Sequence, residues 1–154
     1  MHHELRRKER ALNEPEAREI LERGEYGILS TCDPDGQPYG IPLSYCFSDD
    51  AVYFHCAAEG QKLKDIAADG RVSFCVVGRT EVLPHQFATR YESVIISGRA
   101  TEVYGEEKQL ALEGFLDKYC AEFRLPGLDY IADKLGLTRV FRIGIEDICG
   151  KARR

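Results

Sequence analysis

Between Tyr26 and Cys56 the chain reverses direction twice with few residues to spare, and this spacing limits the possible folds more than any other feature. Tyr26–Cys32 is a strand-like run closed by Asp33-Pro34-Asp35-Gly36, a turn with Pro at its second position and Gly at its fourth. Gln37–Phe47 returns as a long strand, Ser48-Asp49-Asp50 turns it, and Ala51–Cys56 comes back. Parallel neighbours need a crossover of a dozen residues or more, so runs joined this tightly pair antiparallel. The expectation is a three-strand meander. Arg71–Thr80 and Glu92–Tyr104 add two strands around a loop holding Pro84 and His85. Thr138–Ile148 adds a sixth, in which Phe141, Ile143 and Ile145 alternate with Arg142, Gly144 and Glu146.

Helical signals interrupt this series rather than alternating with it. Asn13 is placed to cap a helix, with Pro15 in the first turn and Glu16 at the capping-box position. Ala17, Ile20 and Leu21 form its apolar stripe, and Gly24 ends it. Gly60–Asp69 reads as a short helix, Glu106–Cys120 as a longer one carrying Leu112, Phe115, Leu116 and Tyr119, and Leu128–Leu135 as a third short one. A doubly wound parallel fold would alternate strand and helix throughout. The expected architecture is therefore mainly β with flanking helices, a six-stranded antiparallel barrel in one domain over residues 1–154, with an N-terminal helical arm over about residues 1–24.

Composition narrows the function. The 154 residues carry a formal charge of −5, which argues against nucleic acid or an anionic membrane as partner, since both require a basic face. The basic runs Arg6-Arg7-Lys8 and Lys151-Ala152-Arg153-Arg154 read as solvated tails. No apolar run reaches the roughly 20 residues of a membrane span, and no apolar segment follows the charged N-terminus as in a secretory signal. The cytoplasm is the expected compartment. The six Cys include no C-x-x-C pair, so reduced thiols are expected rather than a zinc site or a disulfide framework. His2, His3 and Glu4 could bind a stray metal ion without function, and no metal site is expected. Neither nucleotide-binding glycine fingerprint is present, nor G-x-S-x-G or H-E-x-x-H.

One segment carries chemistry of its own. Tyr53-Phe54-His55-Cys56-Ala57-Ala58-Glu59-Gly60-Gln61-Lys62 reads as a strand that ends in polar residues, passes a Gly and starts a helix with a Lys in its first turn. Unsatisfied N–H groups and the macrodipole suit such a start to an anion, with Gly60 permitting close approach and Lys62 adding a full charge; taken alone, the segment reads equally as a loop and a surface helix with one solvated Lys. Upstream, Gly40 and two prolines inside Gln37-Pro38-Tyr39-Gly40-Ile41-Pro42-Leu43-Ser44-Tyr45 mark a bulge or a sheet edge. An edge exposes backbone donors and acceptors, which either stay protected by the prolines with nothing bound or serve a ligand.

Together with Val72-Ser73-Phe74-Cys75-Val76-Val77-Gly78 and Tyr91-Glu92-Ser93-Val94-Ile95-Ile96-Ser97-Gly98-Arg99-Ala100, these segments resemble the pyridoxamine 5′-phosphate oxidase-like family of FMN-binding split barrels, and within it the nitroimidazole-resistance (Nim) branch. The resemblance runs from about Arg6 to the terminal Gly150-Lys151-Ala152-Arg153-Arg154. It implies non-covalent FMN, with Ile41, Pro42, Leu43 and Ser44 along the ring, Lys62 at the phosphate, and Cys56 and Ser93 as further contacts. It implies that His55 approaches the flavin, where an imidazole could deliver a proton. Gln61 stands where the oxidase branch has an Arg, which leaves Lys62 as the main charge. The C-terminal tail resembles a recurrent branch ending.

The function implied is a homodimeric, FMN-dependent oxidoreductase of flavin reductase or nitroreductase type. It would pass electrons from NADH or NADPH to a small organic acceptor, with each flavin at the interface. A non-catalytic FMN-binding or storage module needs the same pocket and remains an alternative, as does haem or deazaflavin in the same cleft. Pyridoxamine 5′-phosphate oxidase activity itself is disfavoured, because that branch holds its substrate with a segment bearing Trp and Arg, and this chain has no Trp.

Overall fold

A computed structural model describes residues 4–154. Its elements are α1 (Glu14–Arg23), β1 (Gly27–Cys32), β2 (Pro38–Leu43), β3 (Cys46–Ser48), β4 (Ala51–Cys56), α2 (Gln61–Ala68), β5 (Arg71–Leu83), β6 (Ala88–Val103), α3 (Gly105–Tyr119), α4 (Arg124–Lys134) and β7 (Arg139–Arg153). Every pairing between strands is antiparallel, and the seven strands form one sheet in the order β2-β1-β5-β6-β7-β4-β3.

The seventh strand arises where the sequence suggested one long strand. Gln37–Phe47 breaks at Ser44 and Tyr45, so β2 pairs with β1 at one end of the sheet while β3 pairs with β4 at the other. The expected meander is therefore absent: β1 and β4 lie at opposite ends of the strand order. Only two residues join those ends, which curls the sheet into a barrel. Closing it costs little chain, and the strand registers do the rest.

Local chemistry explains the other elements. Asn13 Oδ1 accepts the Glu16 N–H at 2.9 Å while Glu16 accepts the Asn13 N–H at 3.1 Å, a complete capping box. In the first turn, Asp33 accepts the Gly36 N–H on its carbonyl at 2.9 Å, and its side chain takes the Asp35 and Gln37 N–H groups. The strands β5 and β6 run well past the expected ends, at Leu83 and Ala88, and project as a hairpin closed by a 3-10 turn at Pro84–Gln86.

β7 also extends beyond Ile148 to Arg153, with Ser93 opposite Lys151 and Tyr91 opposite Arg153. Lys151, Ala152 and Arg153 of the terminal basic run thus belong to the sheet and are not a solvated tail. The hydrophobic alternation had stopped at Ile148, but the backbone groups of β6 supplied the continuing partner.

Two cores result. Inside the barrel, Leu29, Phe54, Phe74, Val94, Ile96 and Ile143 pack with Ile20 and Leu21 of α1 and with Leu63 and Ile66 of α2. Full burial of Ile20 and Leu21 stabilises by roughly 1.5–3 kcal/mol each, so α1 is a plug in the barrel rather than a surface helix. A second core lies outside the sheet, where Tyr53 and Val140 meet Ala111, Leu112, Phe115 and Leu116 of α3 and Ile131 of α4.

Candidate functional site

The barrel closes at Ser44 and Tyr45 but not evenly. β2 has β1 on one edge and, among the described residues, no strand on the other. On β4, β3 reaches only from Ala51 to Tyr53, so Phe54, His55 and Cys56 have β7 on one side and no strand on the other. A seam therefore opens between the free edge of β2 and the end of β4. Its hinge is the Ser44–Tyr45 break, held by α3: Tyr119 Oη accepts the Tyr45 N–H at 3.2 Å, and Lys118 Nζ donates to the Tyr45 carbonyl at 2.9 Å.

The residues singled out in the sequence converge on this seam with one exception. Ile41 and Leu43 point into the barrel core, while Pro42 and Ser44 are exposed. Ser44 and His55 share the mouth of a cavity of about 320 Å³ walled by Leu112, Phe115, Tyr119 and Ile131. The His55 ring packs edge-on against Phe115, with centroids 4.6 Å apart. Its surface stays open at the mouth, yet the protein packed around it and then the nearby Lys62 charge hold its pKa below the ordinary 6.5. His55 is therefore mainly neutral at pH 7, able to donate from one nitrogen and accept at the other. Burial pushes the Cys56 thiol up, against the opposing pull of Lys62, so Cys56 stays protonated.

Beyond Cys56 the chain passes Gly60, at φ 156°, and enters α2. No side chain caps this helix, which leaves its first amides facing out. A Cβ added at Gly60 would meet only Lys62 Nζ, at 4.0 Å, so the cation hangs over an open backbone cradle. The helix start is fixed from beneath. Asp65, fully buried, accepts from Thr31 Oγ1 of β1 at 2.7 Å and from Gln61 Nε2 at 2.8 Å. The amide of Gln61 is thus engaged with Asp65, and Lys62 is the side chain left over the helix start.

Arg139, which sequence reasoning did not single out, lies opposite Cys56 on β7. It pairs with Glu102 at 2.6 Å and reaches the Ala58 carbonyl at 3.5 Å, tying the loop before α2 to the sheet. Only strand pairing reveals it, because 83 positions separate Arg139 from Cys56 in the chain.

Ser93 is the exception. It lies opposite Lys151 on β7, whereas His55 lies opposite Val140, eleven residues away on the same strand. At about 3.3 Å per residue that is roughly 36 Å along the strand. From β2, the other wall of the seam, Ser93 is separated by β1 and β5, so strand pairing does not place it at the seam of its own chain.

His2 and His3 lie outside the described residues. Among the described residues no group of three or more His, Cys, Asp or Glu side chains could hold a metal ion. All six cysteines are free thiols, and no helix among the described residues is long and apolar enough to cross a membrane.

A seam with a free strand edge, a cation over an open helix start and a neutral imidazole fits a flat ring carrying a phosphate. Comparison with known proteins agrees at the level of fold. The family profile described as Pyridoxamine 5′-phosphate oxidase matches residues 13–152. No curated protein matches the sequence. Among solved structures, a candidate 5-nitroimidazole antibiotic resistance protein from Bacteroides thetaiotaomicron superposes with a TM-score of 0.75 at 17% identity, covering 98% of this chain and 96% of that one. A FAD-binding protein from Mesorhizobium loti gives 0.69 at 25% identity, covering 94% and 98%. The flavocytochrome Anf3 from Azotobacter vinelandii gives 0.79 at 21% identity, covering 99% of this chain and 73% of that one.

Proposed function

The chain belongs to the pyridoxamine 5′-phosphate oxidase family of split barrels, and from that premise we propose that its seam holds FMN non-covalently in an oxidoreductase acting from NADH or NADPH to a small organic acceptor. What supports this reading is that the free β2 edge, His55 and the Gly60–Lys62 helix start follow one another along the seam, with the Lys62 charge near enough to act on His55. The flavin, when bound, supplies the hydride and electron chemistry.

The chain's own residues bind and orient. Lys62 and the first amides of α2 neutralise the phosphate. Backbone groups from Ile41 to Ser44 meet the rim of the ring. His55, at the mouth of the apolar cavity, holds a proton at an imidazole nitrogen for the acceptor side, and the aromatic walls exclude water. A single phosphate cradle and the lack of a dinucleotide fingerprint favour FMN over FAD. The resemblance to a nitroimidazole-resistance protein makes a nitro compound a reasonable acceptor to try. Six free thiols suit a reducing cytoplasm.

A two-fold dimer completes the proposal. Pro42, Ile28, Cys75, Ile95 and Cys149 form a row across five strands on the outer face of the sheet, with Val77 beside it. Ile95 and Val77 keep 51% and 54% of their surface in water, an apolar face that a second copy would cover. The partner chain would also bring in Ser93, which no seam receives from its own chain. The test is anaerobic: FMN-loaded protein mixed with NADH or NADPH should bleach, then recover its yellow absorbance on adding a nitroaromatic acceptor. A flavin that binds but does not bleach with either donor would instead identify a carrier or storage module.

A further inference from the structure

Where β5 and β6 leave the barrel, their register slips. Val77 faces Ser93 and Thr80 faces Tyr91, so Gly78 and Arg79 together oppose the single residue Glu92, a β-bulge. Glu92 folds over Gly78, where an added Cβ would lie 2.5 Å from its carboxylate, and accepts the Arg79 N–H at 2.9 Å. Arg23 pairs with the same carboxylate at 2.6 Å, which commits this buried acid. Any side chain at position 78 would displace it, and the bulge sets the direction of Arg79.

Arg79, Arg90, Arg153 and Arg154 line one cleft of about 590 Å³, with Thr80, Tyr91 and the carboxylates of Glu81 and Glu92. Two more cations attend its rim: Arg10 donates to Tyr91 Oη at 3.4 Å, and Lys151 Nζ lies 5.6 Å from the Tyr91 ring centre. Glu81 offsets Arg90 at 3.3 Å and Glu16 offsets Arg154 at 3.1 Å. Neither the Arg79 nor the Arg153 guanidinium forms a salt bridge within 4.0 Å among the described residues, although Glu92, committed to Arg23, lies near enough to feel the Arg79 charge. Such a concentration of like charge, in a chain whose formal charge is −5, repels itself unless an anion joins it.

We propose that this arginine-walled cleft binds a phosphate-bearing anion, at a site separate from the seam of its own chain. Guanidinium groups present paired N–H donors that match phosphate oxygens, and a diphosphate offers enough oxygens to engage Arg79 and Arg153 at once. The cleft is large enough for organic substituents beyond the phosphates. Arg139 at the seam and Arg153 at the cleft are the first and last residues of β7, fourteen residues apart, so no phosphate contacts both in one chain.

The test is calorimetric titration of inorganic pyrophosphate into the whole protein, with and without saturating FMN. Binding is expected in both states, weakening as salt is raised. With FMN saturating the seam, the double variant Arg79→Ala/Arg153→Ala, checked for unchanged thermal unfolding, should lose roughly tenfold or more in affinity, while Lys62→Ala under the same condition should bind pyrophosphate as well as wild type. A parallel titration with a nucleoside diphosphate separates two sources of the same chemistry: tighter binding than pyrophosphate identifies a nucleotide, and equal binding a free anion. Absence of pyrophosphate binding, competition by FMN, or equal affinity in the double variant would overturn the assignment. None of these readouts depends on turnover, so the cleft and the flavin reading stand or fall separately.

Discussion

Replacing Thr31 with Val tests how the helix start is anchored. Valine keeps the shape of threonine but removes the hydroxyl that donates to Asp65 Oδ2 at 2.7 Å. Thr31 is 4% exposed and Asp65 0%, so water cannot reach the orphaned oxygen without opening the contact between α2 and β1. Leaving a buried acceptor unsatisfied costs about 1–3 kcal/mol, and more when the group is charged, so Thr31→Val should destabilise by about 2–3 kcal/mol. Gln61 still serves the other oxygen, which keeps the loss from being larger. For a chain of this size the melting temperature should fall by about 5–10 °C. Urea unfolding should show a lower midpoint with an unchanged slope, since the surface exposed on unfolding is the same. Thr31→Ser, which keeps the hydroxyl, should recover most of the loss. If Thr31→Val lies within about 0.5 kcal/mol of wild type at equal slope, Asp65 is not the anchor of α2.

Four further outcomes are expected. Lys62→Ala removes a charge-assisted phosphate contact of about 1.5–3 kcal/mol, so FMN affinity by fluorescence quenching should fall roughly ten- to hundredfold. The same variant should raise the His55 pKa towards 6.5, read by NMR titration, because the Lys62 charge helps to depress it. If a charged imidazole assists flavin reduction or reoxidation, the wild-type rate should rise as pH falls through a midpoint below 6.5, and His55→Ala should lose that dependence in stopped-flow traces. Light scattering should give a dimer, and Ile95→Lys should shift it towards monomer; a wild-type monomer that still holds FMN tightly would contradict the shared site.

Much of this was legible in the sequence wherever the signal was local. The Asn13 capping box, the Asp33–Gly36 turn and the Gly60–Lys62 helix start depend on neighbours within four residues, and all appear as read. The break at Ser44–Tyr45 was not legible as a break. Its cause is tertiary: Tyr45 is wholly buried, donates its hydroxyl to the Leu21 carbonyl, and is held by Lys118 and Tyr119 from α3. The prolines at 38 and 42 marked the edge correctly but could not say that the run beyond it changes partner. Arg139, Phe115 and the Thr31–Asp65 pair enter the site only through long-range packing. The C-terminal strand residues were misread because Lys151 and Arg153 look solvated, and only the length of β6 determines that they pair.

The most direct test of the central claim is the identity of the bound cofactor. The purified chain, reconstituted with a mixture of FMN, FAD and haemin and then washed, should show a flavin absorption spectrum. Acid release followed by chromatography should yield FMN at about one per chain. Release of FAD alone, a haem spectrum, or no chromophore at all would contradict the assignment of the seam between β2 and β4 as an FMN site.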